Sequence, residues 1–315
     1  MPRHANIIKP QLHTTLQTII DQVSEILLGA EQPIKLAISC LLAGGHLLIE
    51  DLPGVGKTTL AQTLAKALGL EFRRVQFTSD LLPADILGVS VYQRESGTFN
   101  FHPGPVFTQV LLADEVNRAT PKTQSALLEA MEEGQVTIEG ETRMLPEPFF
   151  VIATQNPTYQ IGTFPLPESQ LDRFLMKIKL GYLDAQAERV LLSGDDRRHL
   201  LQQLHPRITL AELSHLQAEV RRIHLADAVL DYLQRVLQQS RTSPDIATGL
   251  SPRAGLAIKR AAQAWALLNG RDYVLPEDIQ ATVLAVSNHR LRDHDREVLS
   301  QTKLETLLIQ TVPVP

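Results

Sequence analysis

The stretch that most constrains the fold of this chain is residues 46–59, HLLIEDLPGVGKTT. Its apolar run at 47–49 predicts a short buried strand, and Lys57 opens the pattern of a helix. Gly54 and Gly56 in the intervening turn let successive backbone N–H groups point inward at phosphate oxygens, and the helix N-terminus adds partial positive charge. The stretch therefore predicts a phosphate-binding loop between a strand and a helix.

The polar residues of this loop are of the kind that a nucleoside triphosphate with Mg²⁺ requires. Lys57 is expected to reach the β- and γ-phosphates, and the Thr58 hydroxyl is expected to coordinate Mg²⁺. Asp51 stands where the full pattern G-x-x-x-x-G-K-[ST] has its first glycine, and we interpret it as a variation tolerated at the strand exit. A glycine-rich turn without a ligand is the alternative. The predicted nucleotide-binding residues are Pro53, Gly54, Val55, Gly56, Lys57, Thr58 and Thr59.

Composition describes an ordinary globular chain of 315 residues, which is enough for about two domains. The net charge is −5 and the chain has no lysine- or arginine-rich run, so nucleic acid is not an expected partner. The longest apolar stretch, 36–49, is too short to span a bilayer, and the N-terminal residues MPRHANII lack the apolar core of a signal peptide. We expect a cytoplasmic protein whose single cysteine, Cys40, is a buried thiol.

Segment patterns predict a parallel α/β domain followed by an all-helical domain. Segment 78–108 has the composition of an irregular region with a small hairpin, and 135–145 that of a second hairpin. After Gly181 helical periodicity dominates, so we place the domains at 1–181 and 182–315. Helices are expected at 11–28, 31–43, 57–68 and 121–133, and strands at 47–49, 72–77, 109–115, 149–154 and 174–180.

Asp114 and Glu115 end the predicted strand 109–115. In a protein with a phosphate-binding loop, an acid at this point can hold the Mg²⁺ shell, which assigns the metal to Asp114 together with Thr58. Glu115 can polarise an attacking water, and such a carboxylate base points to hydrolysis rather than to a kinase. Asn156 follows the next strand, where its amide either orients the lytic water or starts a turn. Two surface acids at a strand end are the alternative for the carboxylates.

Two arginines are candidates for stabilising charge on the transferring phosphate: Arg173 in QLDRF and Arg253 in LSPRA. A neighbouring subunit can donate such an arginine to the site. Each is alternatively a solvated or salt-bridged side chain, which is the role we expect of Arg74. The cluster HRLRDHD places His289 and Asp293 one turn apart, but a defined first shell of metal ligands is missing there.

Together these segments resemble the MoxR family of AAA+ ATPases over roughly residues 25–290. The segments ADEVNRA, ALLEAMEE and PLPESQLDRF carry the resemblance most specifically, because phosphate-binding loops are shared by many families. The resemblance implies an αβα core with a helical lid, a helix-2 insert at about 78–108 and a pre-sensor hairpin at about 135–145. The other matching segments are HLLIEDLPGVGKTTLA, VIATQNP, SPRAGLAIKRAAQAW and GRDYVLPEDI.

The resemblance also assigns roles to single residues. Asp114 and Glu115 match the Walker B pair and Asn156 matches sensor 1, with ATP and Mg²⁺ as cofactors. Arg173 matches the finger donated to the adjacent subunit, and Arg253 the sensor 2 arginine of the lid. Three positions depart from the family's usual pattern: Ala30 stands where Gln is common, and Tyr159 and Ile161 stand where acids are common.

By analogy with this family, we expect a Mg²⁺-dependent ATPase that works as a hexameric ring and remodels a protein client. Family members often act on partners with a von Willebrand factor A domain. The alternatives are a DNA-acting motor of the related helicases, a small-molecule kinase, and a nucleotide-dependent assembly switch with little turnover. The guanine-reading pattern Asn-Lys-x-Asp is absent from the sequence, which favours ATP over GTP.

Overall fold

The computed structural model describes residues 10–156, 162–194 and 197–314. Its strands are β1 (Leu47–Glu50), β2 (Phe72–Gln76), β3 (Gly88–Gln93), β4 (Thr98–Pro103), β5 (Val110–Asp114), β6 (Gln135–Ile138), β7 (Glu141–Met144), β8 (Phe150–Gln155) and β9 (Met176–Ile178). Five of them form a sheet in the order β2-β5-β8-β1-β9, with every neighbouring pair parallel. This sheet confirms the predicted parallel α/β core.

Side-chain alternation along the strands divides the core between the two faces of the sheet. Leu47 and Ile49 of β1 belong to a large apolar cluster with the first three helices, whereas Leu48 belongs to a second cluster with the fifth. Helix formation follows the predicted signals, since Pro121 begins the fifth helix and Gly134 ends it. The helices of this part of the chain are α1 (Pro10–Ile26), α2 (Glu31–Leu42), α3 (Lys57–Ala67), α4 (Pro83–Leu87), α5 (Pro121–Glu133) and α6 (Glu168–Leu171).

Both predicted hairpins are present. β6 pairs with β7, and β3 pairs with β4, each pair antiparallel. Segment 78–108 is less irregular than predicted, because α4 precedes the β3–β4 hairpin; the Asp85 carboxylate caps this helix by accepting a hydrogen bond from the Leu82 N–H at 2.8 Å. Gly88, at φ 105°, joins α4 to the hairpin where a Cβ would lie 2.4 Å from the His102 carbonyl oxygen. No other residue fits there without a backbone shift.

The remainder of the described chain is helical, as predicted: after β9, no strand longer than an isolated bridge occurs within 179–194 and 197–314. Its helices are α7 (Ala185–Ser193), α8 (Arg198–Gln203), α9 (Leu210–Val220), α10 (Asp227–Thr242), α11 (Pro252–Leu268), α12 (Pro276–Ser287) and α13 (Gln301–Glu305), which continues as a π-helical turn, Thr306–Gln310. Ser251 caps α11 by accepting from the Ala254 N–H. Together these elements confirm the fold class, a parallel-sheet core followed by a helical lid.

Helix α11 lies at the centre of the lid and packs against α12 and against α2 of the core. One apolar cluster therefore runs continuously from α1, α2 and α3 into the lid. Because this cluster is shared by the core and the lid, it does not mark a domain boundary, and the boundary predicted between residues 181 and 182 stays a prediction. Cys40 is fully buried in the cluster, as expected, and its thiol donates to the His46 carbonyl oxygen. In the described part of the chain, no helix is both long and apolar enough to cross a membrane.

Candidate nucleotide site

The loop between β1 and α3 has the backbone of a phosphate cradle. Gly54 has φ 87° and Gly56 has φ 99°, a region that residues with a Cβ rarely adopt. Gly56 is the N-cap of α3, and no side chain caps the helix there. The first N–H groups of α3 are thus left without side-chain partners at the end of the helix that carries partial positive charge. Such a turn fits an anion.

Lys57 is the first residue of α3 and is 8% exposed. Its Nζ donates to the carbonyl oxygens of Asp51 and Leu52, at 2.5 and 3.2 Å, and to Asn156 Oδ1 at 3.0 Å. Burial lowers the pKa of Lys57, and the charges of Asp51, Asp114 and Glu115 partly oppose this shift. Because its direct partners are neutral oxygens, the ammonium would gain from a phosphate anion in hydrogen-bond range.

Asn156 joins the lysine to the predicted catalytic acid. Its Oδ1 accepts from Lys57, and its Nδ2 donates to Glu115 Oε1 at 2.8 Å. Lysine is only a donor and an ionised carboxylate is only an acceptor, so these two partners fix the orientation of the amide. The side chain of Asn156 is 5% exposed. The structure thereby brings together three residues that lie far apart in the sequence.

Asp114, the last residue of β5, and Glu115, which follows it, are held differently. Asp114 Oδ1 accepts from the Thr154 hydroxyl at 2.5 Å, and the same hydroxyl accepts from the Glu115 N–H at 2.8 Å. Glu115 has φ 56°, an uncommon conformation for a residue with a side chain. Its Oε2 accepts from Gln76 at 3.1 Å and Arg118 at 2.8 Å. Glu115 therefore keeps one oxygen, Oε1, directed towards Asn156.

Asp51 has a structural role that sequence reasoning missed. Its Oδ2 accepts hydrogen bonds from the N–H groups of Leu180 and Gly181, both at 2.7 Å, and its Oδ1 accepts from the Leu52 N–H at 2.8 Å. A glycine at this position has no side chain to make these bonds. Asp51 ties the phosphate cradle to the chain just after β9, where the lid is predicted to begin, so interpreting it as a merely tolerated variation was incomplete.

Arg173 and Arg253 form a second group. Both donate to Glu132 at the end of α5, Arg173 at 2.9 Å and Arg253 at 3.1 Å. Arg253 also lies 3.8 Å from Asp172, whose other carboxylate oxygen accepts from Arg290 at 2.6 Å. Among the described residues, neither arginine pairs with Lys57, Asn156 or Glu115. The shared partner places both guanidinium groups on one face of the molecule.

The residues assigned to the metal offer suitable donors. Thr58 is the second residue of α3, which comes after β1, and Asp114 is the last residue of β5. β8 lies between β1 and β5, and the three parallel strands have their carboxyl ends at the same edge of the sheet. Oxygen donors of this kind are what Mg²⁺ prefers, usually one or two from the protein with the rest from phosphates and water. The donor chemistry therefore fits Mg²⁺. Within the three described ranges, no cluster of three or more His, Cys, Asp or Glu side chains could hold a metal by itself.

The remaining candidates of the sequence analysis divide as follows. His289 is buried and its Nε2 lies 3.0 Å from the Phe174 carbonyl oxygen, whereas Asp293 accepts from the N–H groups of its own turn, so the structure does not bring them together as metal ligands. Arg74, which we expected to be solvated or salt-bridged, is 46% exposed and forms an ion pair with Asp114. Ala30 is a buried N-cap of α2. Tyr159 and Ile161 lie outside the described residues.

Several residues of the site escaped sequence reasoning: Thr154, Gln76, Arg74, Arg118 and Glu132. The parallel order of the sheet brings Thr154, Gln76 and Arg74 to the two acids, because β2 and β8 lie on either side of β5. Arg118 lies in the turn after β5, and Glu132 lies near the end of α5. A sheet order could have been guessed from the phosphate-binding loop, but the reach of each side chain could not. For Glu132, the signal was its position in ALLEAMEE, close to the segment with the assigned acids.

This geometry is that of a P-loop ATPase of the AAA class, and comparison with known proteins agrees. The family model described as "ATPase family associated with various cellular activities (AAA)" matches residues 46–176, and the AAA lid domain model matches 238–307. A crystal structure described as that of a "putative ATPase" from Cytophaga hutchinsonii superposes with a TM-score of 0.85 at 36% identity, covering 97% of this chain and 96% of that one.

Relatives that match most of this chain identify the family to which it belongs within this class of ATPases. The protein named Chaperone MoxR1 of Mycobacterium tuberculosis is 38% identical, over 100% of this chain and 86% of its own. Protein MoxR of Paracoccus denitrificans is 32% identical over 92% and 93%, and YeaC of Bacillus subtilis, whose function is uncharacterised, is 43% identical over 96% of each chain. The chain belongs to the MoxR family of AAA+ ATPases.

Proposed function

We propose that this chain binds ATP in the loop after β1 and hydrolyses it with Mg²⁺. The observation that carries the proposal is the connected set Lys57, Asn156 and Glu115, with hydrogen bonds of 3.0 and 2.8 Å. A cation suited to the phosphates is thus connected through one amide to a carboxylate suited to a water molecule. A protein that only binds nucleotide does not need a carboxylate connected to the lysine in this way.

Each of the three residues has a distinct part in hydrolysis. Lys57 binds the β- and γ-phosphates, exchanging the carbonyl oxygens of Asp51 and Leu52 for anionic ones while it keeps its bond to Asn156. Glu115 takes the proton of the attacking water at Oε1, while Gln76 and Arg118 hold Oε2. Asn156 orients that water and fixes the carboxylate relative to the lysine. Hydrolysis rather than transfer to another acceptor is favoured because the base lies within the same bonded set.

Thr58 and Asp114 would hold the Mg²⁺ ion through a hydroxyl and a carboxylate oxygen. When bound, the ion neutralises charge on the phosphate oxygens as the leaving group departs. Thr154 keeps Asp114 oriented for this role, because its hydroxyl donates to Oδ1 and leaves the second lone pair of that oxygen available.

Arg173 completes the site from a neighbouring subunit in this proposal, and Arg253 acts as the sensor 2 arginine of the lid. Arg173 pairs with Glu132 and not with the bonded set of its own chain, which supports donation to another copy. An interface that pairs one face of a subunit with a different face of the next is heterologous, and such interfaces form rings when the rotation from one subunit to the next closes. We propose a ring, most simply a hexamer.

The work performed by the ring is proposed to be remodelling or activation of a protein client. Support comes from the relative named Chaperone MoxR1 and from the continuous apolar packing between core and lid, which can transmit a change at the nucleotide. A client with a von Willebrand factor A domain is the specific proposal. The net charge of −5 supports a protein client over DNA. The predicted cytoplasmic location stays a prediction.

Phosphate release from ATP by the purified full-length chain tests the activity. Turnover should require Mg²⁺ and should be lost, together with ATP binding, in Lys57→Ala. Lys35→Ala is the matched control, because Lys35 pairs with Glu31 on the surface of α2. Wild-type affinity for ATP in Lys57→Ala would contradict the assignment of the loop after β1 as the ATP-binding loop. ATP binding without measurable phosphate release in the wild type would instead favour the nucleotide-dependent switch.

A further inference from the structure

An arginine outside the phosphate-binding loop lies on the carboxylate assigned to Mg²⁺. Arg74 of β2 donates to Asp114 Oδ2 twice, from Nε at 3.1 Å and from Nη2 at 2.6 Å. The opposite oxygen of the carboxylate already accepts from Thr154 at 2.5 Å. Both oxygens of Asp114 are therefore engaged by the chain itself, and the cationic partner covers the oxygen that Thr154 leaves free.

The two members of this ion pair differ in exposure. The side chain of Asp114 is 10% exposed and that of Arg74 is 46% exposed. The carboxylate is thus fixed inside the site, whereas the guanidinium approaches from solvent and can withdraw to it. When the pair opens, water replaces the lost hydrogen bonds of the exposed guanidinium, whereas the buried carboxylate is left unpaired until another cation takes the place of the arginine.

The sheet explains why an arginine can reach this point. Gln76 of β2 lies in register with Asp114 of β5, and Arg74 lies two residues earlier on the same face. The Arg74 Nη2 also donates to Gln76 Oε1 at 3.1 Å, and Gln76 in turn donates to Glu115. The guanidinium is therefore supported over Asp114 by a neighbouring side chain rather than placed there by a chance surface contact.

We infer that Arg74 is a counter-ion that competes with Mg²⁺ for Asp114. This inference rests on the proposed function, in which Asp114 helps to hold the ion. A guanidinium and a divalent cation repel each other at one carboxylate, so Mg²⁺ can engage Asp114 fully only when Arg74 moves away. Arg74 then sets the Mg²⁺ concentration at which nucleotide binds tightly, and it keeps the buried carboxylate neutralised when no nucleotide is bound.

Binding of a non-hydrolysable ATP analogue, measured by calorimetry over a series of free Mg²⁺ concentrations, tests the inference without relying on turnover. In full-length Arg74→Gln, the Mg²⁺ concentration for half-maximal tightening should fall by about threefold to tenfold, the range expected for loss of one partly exposed charge. Arg74→Lys keeps the charge and should remain nearer to the wild type. Arg73→Gln is the matched control, because Arg73 pairs with Glu71 and should leave the Mg²⁺ requirement unchanged.

The outcomes separate this inference from the proposed function. An unchanged or increased Mg²⁺ requirement in Arg74→Gln overturns the competition while leaving Mg²⁺-dependent nucleotide binding intact. A requirement in Arg74→Lys as low as in Arg74→Gln overturns it too, because the charge would then not matter. If the wild type binds the analogue at no Mg²⁺ concentration, the proposed function itself fails. Thermal unfolding of each variant without ligand confirms that the variants are folded.

Discussion

Lys57 Nζ and Asn156 Oδ1 are 3.0 Å apart, although 99 positions separate the two residues in the chain. This bond crosses from the start of α3 to the end of β8, and so it exists only once β1 and β8 have paired in parallel. The cation of the phosphate cradle is therefore placed by the sheet as well as by its own loop. Substitutions on either side of the bond have separable consequences.

Asn156→Ala should lower ATP turnover by about 100-fold while nucleotide affinity stays within a few-fold of the wild type. The reason is that Lys57 keeps two carbonyl partners, whereas the Glu115 carboxylate loses the amide that fixes Oε1. Steady-state phosphate release and calorimetric binding measure the two effects. Asn100→Ala, on the exposed face of β4, is the control. Turnover at wild-type level in Asn156→Ala would remove Asn156 from the catalytic set.

Glu115→Gln should bind ATP and release phosphate about 100-fold to 10,000-fold more slowly, because an amide cannot accept the proton of the attacking water. Trapping radiolabelled ATP on the protein through gel filtration checks binding and turnover in one sample. The control is Glu129→Gln, on the exposed side of α5. If Glu115→Gln turns over as fast as this control, the base must be another group.

Arg173→Ala should be inactive alone and regain activity when mixed with Glu115→Gln subunits. In a mixed ring, some sites combine the intact Glu115 of one subunit with the intact Arg173 of another. This expectation follows because Arg173 pairs with Glu132 and not with the bonded set of its own chain. A mixture of Lys57→Ala and Glu115→Gln should stay inactive, since both defects lie on one side of the site. No recovery of Arg173→Ala at any ratio would argue against a shared site.

Asp51→Gly, which restores the full glycine pattern of the loop, should destabilise the fold by about 1–3 kcal/mol rather than improve the site. The change removes the acceptor for the N–H groups of Leu52, Leu180 and Gly181. Urea unfolding measures the free energy of unfolding. Asp51→Asn retains one acceptor oxygen, so its stability should lie between those of the wild type and Asp51→Gly. A stability equal to the wild type would show that water replaces the carboxylate at no cost.

Stability should fall as the pH decreases from 6.5 towards 4. Burial lowers the pKa of His46 to about 4, and burial followed by the charge of Arg290 lowers the pKa of His289 well below its ordinary value. In this window the unfolded chain takes up protons that the folded chain does not, so the free energy of unfolding rises with pH by about 1.4 kcal/mol per unit for each such histidine.

The histidine variants test this dependence. His46→Gln should make the slope of unfolding free energy against pH shallower by about 1.4 kcal/mol per pH unit, which is the contribution of one proton. This change is expected whether or not the substitution itself alters the stability of the protein. His205→Gln, at an exposed position, should leave the slope unchanged. Chemical unfolding at several pH values between 4.5 and 6.5 gives both slopes. Equal slopes in the wild type and His46→Gln would show that His46 is protonated in the folded protein.

The parts of the structure that sequence predicted best are those with local signals. Gly54 and Gly56 predict the turn, Pro121 and Gly134 mark the two ends of a helix, and apolar runs in the sequence indicate the length and burial of the strands. The site residues that escaped prediction depend on register between distant strands. Arg74 has the local appearance of a solvated side chain, and only the pairing of β2 with β5 shows that it reaches Asp114. The residues around Arg74 in the sequence do not indicate its contact with Asp114.

The pairing of Arg173 with Glu132, away from the bonded set of its own chain, has a consequence for how complete sites are counted. If Arg173 serves the neighbour, each subunit has one face that supplies this cation and another that receives it. A row of subunits that fails to close then has one fewer working site than it has members, with an unused Arg173 at one end and a cradle without its arginine at the other. Closure would complete the last site, so activity per subunit would report whether the assembly is open or closed.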